Sequence, residues 1–449
     1  MSTTNAGVSY ALDQEKMAPL QIRVVIICWI LNTLDGFDLF VIAFAAPVIR
    51  SEWGVSPEQL GLLFSAGVAG MTVASFLLAP LADVFGRRNT VIAFLMLITA
   101  GLFLTAVAPT LNLVIAARFV TGLGIGAILA SLNTMVAEYS SEERRNFALS
   151  FMHFGFPAGI IIAGLVAVGV IGAYGWRSIF VVAGTASAIM IPIVCVGLPE
   201  SVDFLLNKQP RNALERANRI LTRIGRPALT ALPERPRVQE KIRFTQVFAA
   251  ETRTSTFAIW GGFFCAFGTL FFFQSWLPTI ITGAGLALAE GFTVNVLFGV
   301  GGGVGMLLLG HFSTRLGLLR VIKWYFLGCM LAIILLSFAG TQLDLIIVLA
   351  TAIGFFVYGC IAGLFATAAR VYPAHVRTTG VGWAIGIGRI GSTASPAFAG
   401  LLFAAGWTTA GVYWLYAVPQ VIGLLLMMLI VLPQRTSLAD AGRVARPLR

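Results

Sequence analysis

Asp35 and Asp38 stand in the middle of the first long apolar run of the chain. The run reads from Ile22 to Val48, and apart from Arg23 at its mouth these carboxylates are its only charges. A carboxylate at bilayer depth costs roughly 3 kcal/mol, so it commonly marks an ion or substrate path. The spacing of three puts both on one face of a helix. Two neighbouring carboxylates in low dielectric share protons, and one of them can then cycle between charged and neutral forms near neutral pH. The expected chemistry is reversible proton binding at Asp35 and Asp38. Two arginines also lie within apolar runs. Arg118 falls a turn or two below one end of the fourth run, where it either pairs with Asp35 or Asp38 or snorkels to the interface. Arg389 falls near the middle of the eleventh. A guanidinium is planar and takes a carboxylate through two parallel hydrogen bonds. Gly386, Gly388 and Gly391 flank Arg389 and leave room for a ligand or for close helix contact. Arg389 therefore either grips an organic anion or forms an intramembrane ion pair or gate.

Aromatic and amide side chains fall within the same apolar runs. Phe37, Phe156, Phe271, Phe272, Trp276 and Tyr358 fall at depths suited to a ring pocket, although Phe is abundant at 34 residues and each alone reads as packing. Gln274 and Asn295 either bond a ring hydroxyl or bond across helices. Glu138 and Arg370 hold matching places at the ends of runs four and ten. With Arg144, Arg145 and Arg377 they can form ion pairs that close a gate between two halves, unless Glu138 joins the proton path instead. His153 reads as helix packing ahead of proton relay.

These side chains must be positioned by membrane-spanning helices. Of 449 residues, 58% are hydrophobic and 11% charged, and the mean hydropathy is +0.90. A soluble domain carries about 25% charge. The apolar runs last about 20 residues without alternating, which selects helices over strands. Twelve spans are expected, near 22–48, 58–81, 89–108, 111–137, 147–171, 177–198, 256–281, 292–311, 321–340, 344–369, 380–403 and 410–432. Twenty-six of the 30 Lys and Arg then fall on the side that holds both termini, while only Arg50 and Arg177 fall on the other. That bias makes the first side cytoplasmic. It also accounts for the net charge of +11 through basic loops facing anionic lipid, not through nucleic-acid binding. The polar stretch before Pro19 has no apolar core with a cleavage site, so no removable signal peptide is expected. The five cysteines fall in different spans without pair spacing and read as small apolar residues, and neither they nor the three histidines suggest a metal site.

Residues 199–255 break the apolar pattern and divide the chain into an N-terminal six-helix half, 1–198, a cytoplasmic linker, 199–255, and a C-terminal six-helix half with a cytoplasmic tail, 256–449. Within the linker Leu214, Ala217, Leu221 and Ile224 recur at helical spacing against arginines, which predicts a short amphipathic helix at the cytoplasmic surface. The halves repeat at an offset of about 231: Asp83, Gly86 and Arg88 answer Thr314, Gly317 and Arg320. Two parallel six-helix repeats place a binding site between them near mid-membrane, with alternating access by rocking.

The stretch Ala79-Pro-Leu-Ala-Asp83-Val-Phe-Gly86-Arg87-Arg88 resembles the signature loop of the major facilitator superfamily, with Ala79 in place of the first Gly and Val84 in place of a basic residue. Gly86 permits a tight turn, and Asp83, Arg87 and Arg88 read as a cytoplasmic latch. Arg118-Phe-Val-Thr-Gly122-Leu-Gly-Ile-Gly126 resembles a second motif of that superfamily, whose glycines let helices approach closely. Gly155-Phe-Pro157-Ala-Gly159 only partly resembles the motif of the exporters, which favours import. A narrower resemblance rests on Leu34-Asp35-Gly36-Phe37-Asp38, Ser275-Trp276-Leu277-Pro278-Thr279, Leu198-Pro199-Glu200-Ser201, Tyr372-Pro373 through Trp383, and Gly386-Ile-Gly388-Arg389-Ile-Gly391. Together these look like the aromatic acid:proton symporter family. The resemblance implies an all-α membrane protein of twelve transmembrane helices in two pseudo-symmetric bundles. It further implies uptake of a small aromatic carboxylate (benzoate, hydroxybenzoate, protocatechuate, gentisate or phenylpropionate type) with protons across a bacterial inner membrane. No cofactor beyond the coupling proton is expected, and superfamily members work as monomers. The competing readings are a proton-coupled carrier of another small anion or sugar, and a drug exporter. A membrane enzyme is disfavoured, because no Ser–His–Asp or His-rich grouping is present.

Overall fold

The computed structural model describes residues 17–141, 143–233, 248, 252–372 and 376–430. The second part of the linker, the basic tail, Glu142, Pro373, His375 and the side chain of Arg377 lie outside the described residues. The described residues form fifteen helices and no strand. Twelve are long. In the first half these are α1 (Pro19–Trp53), α2 (Pro57–Leu77), α4 (Arg87–Val107), α5 (Leu111–Tyr139), α6 (Arg145–Tyr174) and α7 (Arg177–Gly197). In the second they are α10 (Arg253–Gly283), α11 (Leu288–Leu316), α12 (Leu318–Leu336), α13 (Leu343–Val371), α14 (Arg377–Ala404) and α15 (Thr409–Met428). Three are short: α3 (Leu81–Phe85), α8 (Val202–Lys208) and α9 (Ala213–Arg223).

Local chemistry sets the ends. Pro19 and Pro57 stand at the first helical turn, where the missing N–H is no loss. Ser56 and Gln59 exchange side-chain bonds with each other's backbone N–H at 3.3 and 3.0 Å. Eleven of the twelve long helices are long and apolar enough to cross a membrane; α14 is not among them. It carries six glycines and Arg389. It is packed between α2 and α10, so much of its surface faces protein instead of lipid.

The two halves use the same pairings. α1 packs on α6 as α10 packs on α14, α2 on α5 as α11 on α13, and α4 on α7 as α12 on α15. Glycines make the closest seams. Gly122 and Gly126 of α5 press on the backbone of Gly67 and Met71 in α2, and Gly301 and Gly305 of α11 press on Thr351 and Phe355 in α13. Gly155 and Gly159 set α6 against Trp29 and Thr33 of α1. The repeat reaches individual backbone angles: Gly86 before α4 and Gly317 before α12 adopt φ +94° and +90°, a region that only glycine occupies without strain.

The halves meet along α2–α14, α6–α11 and α1–α10. Call the end that carries Arg87, Arg88 and Arg144 the basic end. At the opposite end the contact is tight. A Cβ on Gly61 would stand 2.8 Å from the Pro396 carbonyl oxygen, Ser65 Oγ accepts from Ala397 N–H at 3.0 Å, and Trp276 meets Phe64 edge to face at 5.3 Å. Along α11, residues 296, 299, 303, 306 and 310 form one stripe at helical spacing. Val296 and Gly299 on it touch Gly164, Ile160 and Ile161 of α6, whereas a Cβ at Gly303 or Gly310 would meet no atom within 4 Å. The α6–α11 seam is therefore shut at the opposite end and parts toward the basic end. The α2–α14 seam stays in contact throughout, from Gly61 to Thr72–Thr393 (3.1 Å) and Phe76–Trp383.

The amphipathic linker helix forms as α9. Its apolar face, Ala213, Ala217, Ile220 and Leu221, is buried in protein, α9 packs on α8, and Asn218 ties it to Leu229 through two hydrogen bonds.

Candidate transport site

α1 carries Asp35 and Asp38 at its midpoint, turned into the first bundle. Asp38 is fully buried and Asp35 keeps 4% of its surface open. Arg118 of α5 is buried too, and its Nη2 donates to the backbone carbonyl of Asp38. The rest of its guanidinium lies over the Phe180 ring of α7 at 5.8 Å, with Nε and Nη1 lacking a protein partner. Asp38 Oδ2 accepts a long bond, 3.5 Å, from Ser187 Oγ, while Asp38 Oδ1 and Asp35 Oδ2 have no protein partner. A fixed side-chain ion pair from Arg118 to either aspartate is absent among the described residues. Buried polar atoms are satisfied in the great majority of cases. Several orphans in one cluster suit a group that changes protonation or gains water in another conformation. Sequence reasoning missed Ser187 and Phe180, which carry no spacing signal within the apolar run of α7.

Arg389 stands twelve residues into α14. Ile390, Phe398 and Leu401 form the exposed apolar face of that helix. Gly388 and Gly391 meet α10, and Gly386 and Thr393 meet α2. At 100° per residue, Arg389 falls between those two contact strips, away from the exposed face. It is half-buried, and its guanidinium has no carboxylate partner among the described residues. The flanking glycines leave no ligand space: Phe76, Phe267 and the Phe264 backbone fill the positions beside Gly386, Gly388 and Gly391. They are there for helix contact.

The expected ring-pocket residues divide. Phe37 is buried, and half-buried Phe156 meets Phe40 edge to face at 6.0 Å. Phe271 lies 5.4 Å from Phe40 of the other half, whereas Phe272 stacks at 3.8 Å on Tyr416 inside its own half. Trp276 donates its indole N–H to the Pro396 carbonyl at 3.1 Å and touches Phe64 and Phe403, which makes it part of the seal at the opposite end. Gln274 and Asn295 are fully buried and bonded to one another at 3.1 and 3.3 Å, with Tyr358 Oη at 3.5 Å from Gln274. In this conformation the amides tie α10 to α11.

At the basic end Glu138 does not bridge the halves. It binds Arg87 Nη1 at 2.8 Å and Ser201 Oγ at 2.7 Å, both on its own side, and Asp83 adds a looser contact to Arg87 at 3.6 Å. Glu200 accepts from Arg88 N–H at 3.0 Å and leaves no room for a Cβ at Gly86. Tyr139 Oη donates to the Glu200 carbonyl. Burial pushes the nearby Asp203 carboxyl up, with Arg87 pulling it down. The latch thus extends onto the Pro199-Glu200-Ser201 turn that opens the linker. Arg144 and Arg370 are exposed and Arg145 half-buried, none with an ion pair among the described residues.

Comparison with known proteins agrees with this architecture. The family model described as Major Facilitator Superfamily matches residues 28–367 and 291–448. The 4-hydroxybenzoate transporter PcaK of Pseudomonas aeruginosa is 30% identical over 442 residues, covering 96% of each chain. A gallate transporter of Pseudomonas putida is 28% identical over 88% of each, and a benzoate transport protein of Acinetobacter baylyi 26% identical over 94% of this chain and 92% of its own. Among solved structures, the inward-open xylose transporter XylE of E. coli superposes with a TM-score of 0.71 at 15% identity, over 94% of this chain and 99% of that one. The chain belongs to the Major Facilitator Superfamily and, within it, to the family of aromatic acid transporters. It is a multi-pass membrane transporter and not an enzyme.

Proposed function

We propose that this protein takes up small aromatic carboxylates together with protons, by alternating access, across a bacterial inner membrane. The observation that carries the reading is Arg389, an uncommitted guanidinium at mid-depth of α14 and turned from the lipid face. A cation held there without a carboxylate partner is costly unless an anion visits it. Relatives named for 4-hydroxybenzoate, gallate and benzoate supply the substrate class. Asp35 and Asp38 carry protons: protonating one makes the site positive enough to admit the anion, and the empty carrier returns after losing that proton. One proton with one monovalent anion is electroneutral and draws only on the pH gradient, while a second proton adds about 2.3 kcal/mol per 100 mV. The basic end faces the cytoplasm with both termini, residues 199–255 link two six-helix halves, and the unit is a monomer.

The test is uptake of labelled aromatic acids into proteoliposomes under an imposed pH gradient. Accumulation that an uncoupler abolishes supports the reading. Uptake of xylose in place of the acids, or acid uptake indifferent to the uncoupler, overturns it.

A further inference from the structure

At the end opposite the basic loops, the last turns of α1 and α10 and the start of α11 line an open cavity of about 560 Å³. Its walls include Pro47, Leu286 and Leu288, together with Thr279, Thr282 and Arg50. The volume lies in the range of small-molecule sites, and a few polar groups in an apolar wall are their usual composition. Two features point to a ligand. Arg50 is exposed and has no ion pair among the described residues. The acid two residues on is taken: Glu52 binds Arg177 and the Trp176 indole. Thr279 lines the same cavity, is 2% exposed, and its buried Oγ1 has no protein partner. A turn deeper on α10, Trp276 is bonded to Pro396 and seals the seam between cavity and interior.

We propose that this cavity is an outer capture site, in which Arg50 holds a small aromatic carboxylate outside the closed seam and Thr279 joins it as the carrier turns outward. The inference rests on the reading of the protein as an aromatic-acid importer. Arg50 supplies the carboxylate contact and Pro47, Leu286 and Leu288 apolar walls for the ring, while the Thr279 hydroxyl, buried in the wall in this conformation, becomes a further donor on turning outward. Arg50 and Arg177 are the only basic residues expected on that face, and Arg177 is committed to Glu52. Arg50 is therefore the free positive charge that an incoming anion meets first.

The test is transport of labelled 4-hydroxybenzoate by Arg50→Gln and Thr279→Val in proteoliposomes of defined orientation, made with phosphatidylcholine alone and with added phosphatidylglycerol. Influx from the outer face and efflux from the inner face are measured separately. Removing a charge-assisted bond should raise the outer KM about tenfold, and removing the hydroxyl about threefold. Maximal influx and inner KM should stay unchanged while maximal efflux falls in the same proportion as outer KM rises, since influx and efflux are the same path run in opposite directions, and Arg50→Lys should recover part of the loss. An outer KM unmoved in Arg50→Gln, or inner and outer KM moved alike, overturns the site. An effect confined to vesicles with phosphatidylglycerol also overturns it, because Arg50 would then be serving a lipid headgroup. Absence of uptake by the unaltered protein would instead remove the importer reading and this inference with it.

Discussion

Arg118 holds Asp38 by its backbone: Nη2 donates to the Asp38 carbonyl, and the carboxylate of the same residue goes unpaired by the guanidinium. The two charges are near neighbours without a locked salt bridge. The arginine holds α1 against α5 while the Asp38 side chain stays outside that contact.

Asp38→Asn and Asp35→Asn test that division. Each removes a titrating group and leaves a shape that the cluster accepts. At least one should lose accumulation driven by a pH gradient while retaining counterflow exchange of labelled acid between equal pools. If both variants still concentrate the acid, the cluster is not the coupling site. Arg118→Leu should act otherwise, by releasing the α1–α5 contact and lowering thermal stability.

Arg389→Gln should weaken substrate binding and spare the fold, since the guanidinium has no carboxylate partner to leave behind. Charge-assisted hydrogen bonds contribute about 1.5–3 kcal/mol, or roughly ten- to a hundredfold in Kd. Arg389→Lys should recover only part, because an ammonium cannot form the parallel pair of bonds. Titration calorimetry with 4-hydroxybenzoate reads both variants, and unchanged affinity in Arg389→Gln would assign the arginine to gating.

Gly159→Ala should destabilise the protein, because its Cβ would run into the Thr33 backbone carbonyl of α1. Overpacking of this kind costs about 1–3 kcal/mol. Gly303→Ala is the control, since a Cβ there meets no atom within 4 Å. The Tm of detergent-solubilised protein should fall for the first and hold for the second. Equal shifts would contradict the opening between α6 and α11.

Glu138→Gln should loosen the latch at the basic end. The Arg87–Glu138 pair is only 16% and 11% exposed at the two side chains. Removing one charge leaves Arg87 with the looser Asp83, at an expected cost of about 1–3 kcal/mol after discounting for solvent. Lowered Tm should be accompanied by faster proteolysis at the linker, because Ser201 loses its carboxylate partner as well.

Much of the fold was legible before any coordinate. Apolar run length, the bias of Lys and Arg, and the repeat around Asp83 and Thr314 lead to twelve helices in two matching sets. Gly122 and Gly126 announced a close seam, and that seam forms on α2. The inward direction of Asp35 and Asp38 follows from cost alone, since carboxylates turned to lipid would not be tolerated, whereas Arg118 was open between pairing and snorkelling until the structure turned it inward. The partners were not legible. Glu138 pairs with Arg87 in its own half, although chain position matched it to Arg370 in the other. Gln274 and Asn295 bond to each other, and the glycines around Arg389 fit phenylalanines.

By itself the amino-acid order determined that the chain lives in lipid as a paired set of helices and which few charges had to be shielded inside it. Those outcomes depend on solvation and on spacing along one helix, both local properties. Tertiary structure alone decided who meets whom: that Arg118 takes a carbonyl, that the latch grips Glu200 and Ser201, and that Arg50 and Thr279 border one cavity. Such contacts depend on the rotation and depth at which helices distant in the chain settle against each other, and no periodicity within a single helix records that choice.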